Sequence, residues 1–233
     1  MVPQMPAPQS TLELPPVYPI TDKLLARRDS HMAIVRELVR GGATLIQVRD
    51  KETPVSELLA DLRRCVEYCL IREVTLIVND RVDLALCSGA SGVHLGQEDL
   101  PPSAAREILG PGKIIGYSTN TSAQVRQTRK MPIQYIGVGP IFPTSTRKNP
   151  SPVVGIEGLR TACIRSSWPV VAIGGIALKD VRRVLAAGAA SLAVISAIMR
   201  ATSPAKQMEM FLREASDRER GLFHLKRESP IRA

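Results

Sequence analysis

Eight short runs of mostly apolar, often β-branched residues alternate along the chain with longer stretches whose apolar residues recur at helical spacing. The predicted strands cover residues 17–21, 44–48, 75–78, 92–95, 114–117, 135–138, 170–173 and 191–195. Most of these runs are continuously apolar, which is typical of parallel strands covered by other structure on both faces. This alternation constrains the fold more than any other feature of the sequence.

Amphipathic stretches between the strands predict helices, several of which end at glycines. They cover residues 29–40, 55–69, 81–88, 178–187 and 204–215. Eight strands with helices between them predict a TIM (β/α)8 barrel, and an open doubly wound sheet is the main alternative. Even strand spacing and the absence of a GxGxxG motif after the first strand favour the barrel.

The expected catalytic domain is a single barrel over residues 17–220, between a Pro-rich flexible tail (1–16) and a basic flexible tail (221–233). Aromatic residues make up only 3% of the chain, so we expect a core of Val, Ile, Leu and Ala. The N-terminus has no signal-peptide pattern, and no apolar run reaches the length of a membrane span. Four cysteines without a CxxC pair predict reduced thiols, and we expect a cytoplasmic protein.

A net charge of +9 is compatible either with nucleic-acid binding or with attraction of small anionic substrates. No predicted helix carries an uninterrupted basic face, and aromatic residues that could stack on bases are scarce. We therefore expect small phosphorylated substrates, and neither a nucleic acid nor a membrane as partner.

The chemistry of a TIM barrel lies at the C-terminal ends of its strands. After the second strand, alternation places Gln47, Arg49 and Lys51 on one side, where two cations and an amide suit a polyanion. The alternative is an exposed loop whose cations form surface ion pairs with Asp50 or Glu52. The residues of this motif alone do not decide between the two.

Acidic residues follow the next two strands. Asn79 and Asp80 come after the third and Asp99 after the fourth, so two carboxylates reach the barrel mouth beside the cations. Mg²⁺ commonly takes one or two protein carboxylates together with phosphate oxygens and waters. Asp80 and Asp99 are thus candidate Mg²⁺ ligands, with helix capping as the alternative for each.

The remaining strand ends carry hydroxyls, glycines and further cations. Ser118 could bind a heterocycle or phosphate, or its segment could only cap the next helix. The long segment after the sixth strand contains Thr144, Ser145, Thr146, Arg147 and Lys148, which suit either a phosphate lid or a solvated loop. Gly174, Gly175 and Ser196 follow the last two strands, where this fold often binds phosphate.

Seven segments together resemble the thiamine-phosphate synthase family. In chain order they are TLIQVRDK, LIVNDR, GVHLGQED, GYST, GVGPIFPTSTRK, VVAIGGI and AVISAI, over about residues 17–200. The resemblance implies an enzyme that joins hydroxymethylpyrimidine diphosphate to a thiazole phosphate with Mg²⁺, releasing pyrophosphate. The implied mechanism is dissociative: diphosphate leaves first, and the thiazole nitrogen attacks the resulting methylene cation.

The resemblance also implies a role for each matching residue. The pyrimidine diphosphate would be bound by Gln47, Val48, Arg49, Asp50, Lys51 and Asn79, with Ser118 on the pyrimidine. Asp80 and Asp99 would hold Mg²⁺, and Arg49, Lys51 and Ser118 would be the catalytic side chains. The thiazole phosphate would be bound by Thr144, Ser145, Thr146, Gly175, Ile195 and Ser196. Arg147 stands where the family usually has Lys, so either it or Lys148 would reach the diphosphate.

Three other functions remain in competition. The related thiazole tautomerase tends to lose the second metal Asp and to use a His after the fifth strand, where this chain has Asp99 and Asn120. A non-catalytic regulatory protein would lack metal or cation residues. Another phosphate-handling barrel, such as an isomerase or aldolase, would need a catalytic Glu, His or Lys, and we interpret His94 as structural. Exposed apolar helix faces could form a homodimer.

Overall fold

The computed structural model describes residues 12–144 and 151–227, with side chains as far as residue 216. Within it, eight strands form one sheet: β1 (Val17–Pro19), β2 (Leu45–Val48), β3 (Thr75–Asn79), β4 (Gly92–Leu95), β5 (Ile114–Thr119), β6 (Tyr135–Val138), β7 (Val170–Ile173) and β8 (Ser191–Val194). Each lies within two residues of its predicted ends. The positions of the apolar runs in the sequence were therefore sufficient to locate every strand.

The strands are joined mostly by helices that cover the outside of the sheet. These are α1 (Lys23–Ala26), α2 (His31–Arg40), α3 (Val55–Leu70), α4 (Val82–Ser88), α5 (Pro102–Leu109), α6 (Ser122–Gln127), α7 (Gly155–Arg165), α8 (Val181–Ala186), α9 (Ser196–Met199) and α10 (Pro204–Arg227). Single 3₁₀ turns, Thr128–Lys130 and Leu178–Asp180, follow α6 and precede α8. The last helix is twelve residues longer than predicted and includes residues 221–227, which we assigned to a basic tail.

The sheet closes into a barrel. Its strand order is β1-β8-β7-β6-β5-β4-β3-β2, and every neighbouring pair is parallel. A parallel bridge between Ile20 and Gln47 joins the first strand to the second, and the Thr21 amide donates to the Gln47 carbonyl at 2.8 Å. The TIM-barrel prediction is confirmed, and the open doubly wound alternative is wrong because the sheet has no free edge at this junction.

Alternation along each strand divides the apolar residues into two layers. Ile46 and Val48 of β2 belong to the larger layer between sheet and helices, whereas Leu45 belongs to the smaller cluster inside the barrel. The outer layer is rich in Val, Ile, Leu and Ala, as expected. Because successive side chains on a strand point to opposite faces, this division decides which residues at a strand end can reach the mouth.

The expectation of a purely aliphatic core is wrong for the barrel interior. Tyr18 and Tyr135, 1% and 0% exposed, are among the largest fully buried side chains and belong to the inner cluster. Their rings meet edge to face with centroids 5.9 Å apart. Two of the few aromatic residues of the chain therefore lie inside the barrel, where a tyrosine supplies both a large apolar ring and a hydroxyl group.

Two further expectations concern the cysteines and the membrane. All four cysteines lie in the described part of the chain and are free, with Cys65 and Cys69 buried, Cys163 half-buried and Cys87 exposed. Burial raises the pKa of the Cys69 thiol to about 11, which keeps it protonated. Among the helices of residues 12–144 and 151–227, none combines the length and apolarity needed to span a bilayer.

Candidate active site

One cavity opens at the C-terminal ends of the strands, and residues from both halves of the barrel line it. Among the predicted site residues, its lining includes Gln47, Arg49, Lys51, Asn79, Asp80, Asp99, Ser118, Thr144, Gly175, Ile195 and Ser196. The structure thus brings together side chains separated by up to 149 positions in the sequence. Ser145, Thr146, Arg147 and Lys148 lie outside the described residues.

The cationic side of the cavity is formed by the segment after β2. Lys51 Nζ lies 3.3 Å from Asp80 Oδ2, and Arg49 Nη1 lies 3.9 Å from Asp22 Oδ2. Neither cation is paired with Asp50 or Glu52, so the alternative of a purely local surface ion pair is wrong. Since Lys51 is 57% exposed, its head group is accessible from the mouth.

Asp80 and Asp99 form the acidic side. Neither caps a helix, because α4 and α5 begin after Arg81 and Pro101 without any side-chain cap bond, so the capping alternative is wrong. Asp99 Oδ2 instead accepts from the Gly96 amide at 2.6 Å. Asp80 has a positive φ of 63°, a conformation that costs energy for a residue with a side chain.

Burial, together with the neighbouring Asp80 carboxyl, raises the pKa of Asp99. Two carboxyls that share a site in this way repel each other when both are ionised, and a divalent cation relieves that repulsion. Within the described residues no third His, Cys, Asp or Glu completes a metal cluster. The two carboxylates fit a divalent cation such as Mg²⁺ that takes its remaining ligands from substrate oxygens and water.

Two predicted substrate-binding residues point away from the cavity. Val48 packs in the outer layer, 2% exposed. The Asp50 carboxylate lies behind the mouth, where it accepts from the Thr53 amide at 2.8 Å and the Thr53 hydroxyl at 2.7 Å. The strand period that directs Gln47, Arg49 and Lys51 inward directs these two outward.

Asp50 is the centre of a buried network that fixes the cationic segment from behind. Its Oδ2 lies 2.9 Å from His31 Nε2 and 3.1 Å from Lys23 Nζ. His31 Nδ1 lies 2.8 Å from Thr21 Oγ1, and the Thr21 oxygen accepts from the Arg49 amide at 3.3 Å. Although burial acts to raise it, the hydrogen bonds from Thr53, Glu52 and His31 hold the pKa of Asp50 well below its ordinary range. No pattern in the sequence indicated this supporting role of Asp50.

Ser118, near the end of β5, lines the cavity. Its carbonyl accepts from Gln97 Nε2 at 2.5 Å, and its hydroxyl lies 2.9 Å from His94 Nε2. Helix capping, the alternative for this segment, is performed three residues later by Thr121, which forms a capping box with Gln124. The hydroxyl of Ser118 is therefore not needed as a cap.

His94 was not among the predicted site residues, yet it lines the cavity and belongs to a chain of polar side chains across the barrel. Its Nδ1 lies 3.0 Å from Tyr135 OH, which lies 2.9 Å from Tyr18 OH, and Gln47 Nε2 donates to Tyr18 OH at 2.9 Å. Burial lowers the pKa of His94 to about 4, so the ring is neutral. Counting alternation along β4 would have placed His94 inward, since Val93 and Leu95 belong to the outer layer.

The opposite wall is formed by the ends of β7 and β8. Gly174 and Gly175 have φ values of 98° and 67°, and a Cβ on Gly175 would lie 2.5 Å from the Pro143 carbonyl oxygen. Only glycine suits both the conformation and the close approach. Ile195 and Ser196 come next to them at the start of α9, with Ser196 as its first residue. Because β7 and β8 are neighbouring strands, Gly175, Ile195 and Ser196 line the same part of the cavity.

Comparisons with known proteins agree on one family. The family model for thiamine monophosphate synthase matches residues 17–198. A thiamine-phosphate synthase of Koribacter versatilis is 41% identical over 207 residues, covering 87% of this chain and 97% of the relative. A probable thiamine biosynthetic bifunctional enzyme of rice, chloroplastic, is 43% identical over 187 residues, 78% of this chain. The chain spans about a third (34%) of that rice protein's length.

A solved structure gives the same result. Thiamine phosphate pyrophosphorylase from Pyrococcus furiosus has a TM-score of 0.79 and 38% sequence identity. The match covers 86% of this chain and 95% of the archaeal one.

Proposed function

Since the chain belongs to the thiamine monophosphate synthase family, we propose that it joins hydroxymethylpyrimidine diphosphate to hydroxyethylthiazole phosphate, forming thiamine phosphate and pyrophosphate. Members of this family are transferases of thiamine biosynthesis, and the chain is an enzyme of this class. The identity of both substrates, the metal and the role of each residue are parts of the proposal.

One observation carries the proposal: a single cavity joins an acidic pair, two cations and a glycine-lined wall. Asp80 and Asp99 lie beside Lys51 on one side, and Gly175 and Ser196 lie on the other. Carboxylates with adjacent cations suit a diphosphate with Mg²⁺, whereas glycine backbone and a serine hydroxyl suit a phosphate monoester. The reaction needs these two kinds of anion site to share one space.

The cationic and acidic side chains would act on the leaving diphosphate. Arg49 offers a planar fork of N–H donors and Lys51 a compact charge, so together they stabilise negative charge as the C–O bond breaks. Asp80 and Asp99 would hold Mg²⁺, which neutralises charge on the diphosphate oxygens when bound. Asn79, the last residue of β3, adds an amide to the same side of the cavity.

The other substrate would lie against the β7–β8 wall. Gly175, Ile195 and Ser196 would bind the thiazole phosphate together with Thr144. We propose that Ser145 and Thr146, the next two residues of the chain, bind the same phosphate. Arg147 or Lys148 would reach the diphosphate from there. Positioning would direct the thiazole nitrogen at the methylene carbon of the pyrimidine, with Ser118 orienting the pyrimidine ring. No cysteine lines the described cavity, and the route needs no covalent enzyme nucleophile.

The main rival, thiazole tautomerisation, is less well supported by the site. Asp99 is present beside Asp80, and the Asn120 amide donates to the Gly139 carbonyl at 2.5 Å, so it is held as a structural group. A regulatory protein without catalysis has no need of the paired carboxylates and cations kept here. A cytoplasmic location and a homodimer remain parts of the proposal.

The proposal is tested by incubating the full chain with both substrates and Mg²⁺ and measuring thiamine phosphate and pyrophosphate. We expect equal amounts of both products in the complete mixture and no thiamine phosphate when either substrate is omitted. Conversion of the thiazole substrate without the pyrimidine diphosphate would instead support the tautomerase. Full activity in the presence of a chelator would overturn the metal assignment.

A further inference from the structure

Five side chains, beginning with Gln47 and ending with Ser118, form a continuous hydrogen-bonded chain through the barrel interior. In order they are Gln47 (β2), Tyr18 (β1), Tyr135 (β6), His94 (β4) and Ser118 (β5), with successive polar atoms 2.9, 2.9, 3.0 and 2.9 Å apart. The first three are at most 2% exposed. Both ends of this interior chain, Gln47 and Ser118, line the cavity.

The protons of the interior chain can be assigned by accounting for donors. The Gln47 amide nitrogen only donates, so the Tyr18 oxygen accepts from it. The Tyr18 proton is buried and its remaining partner is the Tyr135 oxygen, so it points there. The Tyr135 proton must then go to His94 Nδ1, because an unpaired buried hydroxyl proton costs free energy. Nδ1 is therefore an acceptor, and the ring proton lies on Nε2.

The local packing is built around the Tyr135–His94 bond. The two rings stack with centroids 5.4 Å apart and an interplanar angle of 24°. A Cβ on Gly116 would overlap the Tyr135 hydroxyl and lie 2.6 Å from His94 Nδ1. The glycine of the GYST segment thus leaves room for this hydrogen bond.

We propose that His94 is a positioning residue: its Nε2–H donates to Ser118 Oγ and so turns the Ser118 hydroxyl proton toward the ligand. Ser118 then meets the bound substrate as a hydrogen-bond donor, which selects a ring nitrogen rather than an N–H group. At the other end of the interior chain, the Gln47 amide nitrogen is anchored by donating one of its two N–H groups to Tyr18, and the carbonyl oxygen of the same amide is available to accept from an N–H. An aminopyrimidine carries both groups. The inference rests on the proposed function for the identity of that ring.

The first test reads the tautomer directly. Nitrogen-15 NMR of the histidine side chains in the full chain distinguishes protonated from unprotonated ring nitrogens, and the His94→Gln variant identifies the His94 signals. We expect a neutral ring with the proton on Nε2 in the wild-type protein, and a mixture of tautomers in Tyr135→Phe. A proton on Nδ1 in the wild type would reverse the chain and overturn the proposal. This readout is independent of enzymatic activity, so it separates failure of this inference from failure of the proposed function.

The second test is a double-mutant cycle between His94→Gln and Ser118→Ala. We expect each variant to raise KM for the pyrimidine diphosphate by about tenfold, the scale of one hydrogen bond, with KM for the thiazole phosphate unchanged. Because His94 acts through Ser118, the double variant should be no worse than Ser118→Ala alone. Additive losses, or a general fall in kcat without a change in KM, would show a merely structural histidine. Should His94→Gln fail to fold, Tyr135→Phe takes its place in the cycle.

Discussion

The Nζ atom of Lys51 lies 3.3 Å from Asp80 Oδ2, where the cationic and acidic sides of the cavity meet. The two residues lie in the segments that follow the neighbouring strands β2 and β3, and both side chains are partly exposed. A bound diphosphate with its metal would satisfy Lys51 through phosphate oxygens and Asp80 through the cation. The Lys51–Asp80 contact thus lies where the proposed diphosphate would meet both the cationic side of the cavity and the metal held by its acidic side.

Asp80→Asn and Asp99→Asn are expected to reduce turnover by about a hundredfold or more and to raise the Mg²⁺ concentration needed for half-maximal activity. Each change keeps the side-chain shape but removes a charge that would bind the cation. Asp83→Asn is the matched control, since that carboxylate is 59% exposed and paired with Arg81. Variants of Asp80 or Asp99 with normal Mg²⁺ dependence would contradict the assignment.

Arg49→Lys is expected to raise KM for the pyrimidine diphosphate by about tenfold, because a lysine keeps the charge but loses the bidentate geometry. Steady-state kinetics with each substrate varied in turn would measure this. Arg40→Lys, on the exposed end of α2, makes the same exchange away from the cavity and should leave both KM values unchanged. An Arg49→Lys enzyme with unaltered kinetics would mean that the guanidinium does not contact substrate.

Asp50→Asn is expected to lower the free energy of unfolding by about 2 kcal/mol at neutral pH, because it weakens several hydrogen bonds to a buried carboxylate. Its control, Glu52→Gln, removes the same charge at an exposed position of the same segment. Urea unfolding of both variants and the wild type would compare them.

The pH dependence of that difference follows from the sign of the shift. Since the folded-state pKa of Asp50 is lowered, the ionised carboxylate contributes its full stabilisation to the free energy of unfolding at pH values above 3.8, the ordinary pKa. This stabilisation is lost as the pH falls below 3.8. The gap between wild type and Asp50→Asn should therefore close in acid. The pKa of His31 is also lowered, chiefly by burial, so the unfolded chain takes up a proton first and stability should decline below about pH 6.5. A stability gap that widens in acid would refute this account of the network.

Gly116→Ala is expected to destabilise the protein by about 3 kcal/mol, since the added methyl group would overlap Tyr135 and His94 in a packed interior. Gly112→Ala is a close control, because a Cβ there meets nothing within 4 Å and its φ is not in the left-handed region. Denaturant unfolding should show Gly112→Ala within about 0.5 kcal/mol of wild type. Equal stability of the two variants would show that the interior yields at Gly116.

The barrel could be predicted because most strands are continuous apolar runs, and helical patterns or turn glycines separate one run from the next. The inward direction of Gln47, Arg49 and Lys51 also followed from the strand period alone. The same period places Val48 and Asp50 outward, but the family resemblance grouped all five residues as one segment. A contiguous motif does not distinguish a side chain that contacts substrate from one that supports its neighbours.

The buried networks could not be predicted, because they join residues far apart in the sequence. His31 and Asp50 are 19 positions apart, and Tyr18 and Tyr135 are 117 apart. The Tyr18–Tyr135 contact depends on barrel closure and strand register, which fix which inward side chains share a layer. The His31–Asp50 contact depends on where the start of α2 lies against the segment that follows β2. His94 lay within an apolar run and was interpreted as structural, although its inward register brings it to the cavity.

The most direct test of the central claim is a crystal structure of the full chain with thiamine phosphate, pyrophosphate and Mg²⁺. The account predicts pyrophosphate and the metal between Arg49, Lys51, Asp80 and Asp99, with the phosphate of thiamine phosphate against Gly175 and Ser196. Pyrophosphate bound outside this cavity, or a metal that contacts neither Asp80 nor Asp99, would contradict it.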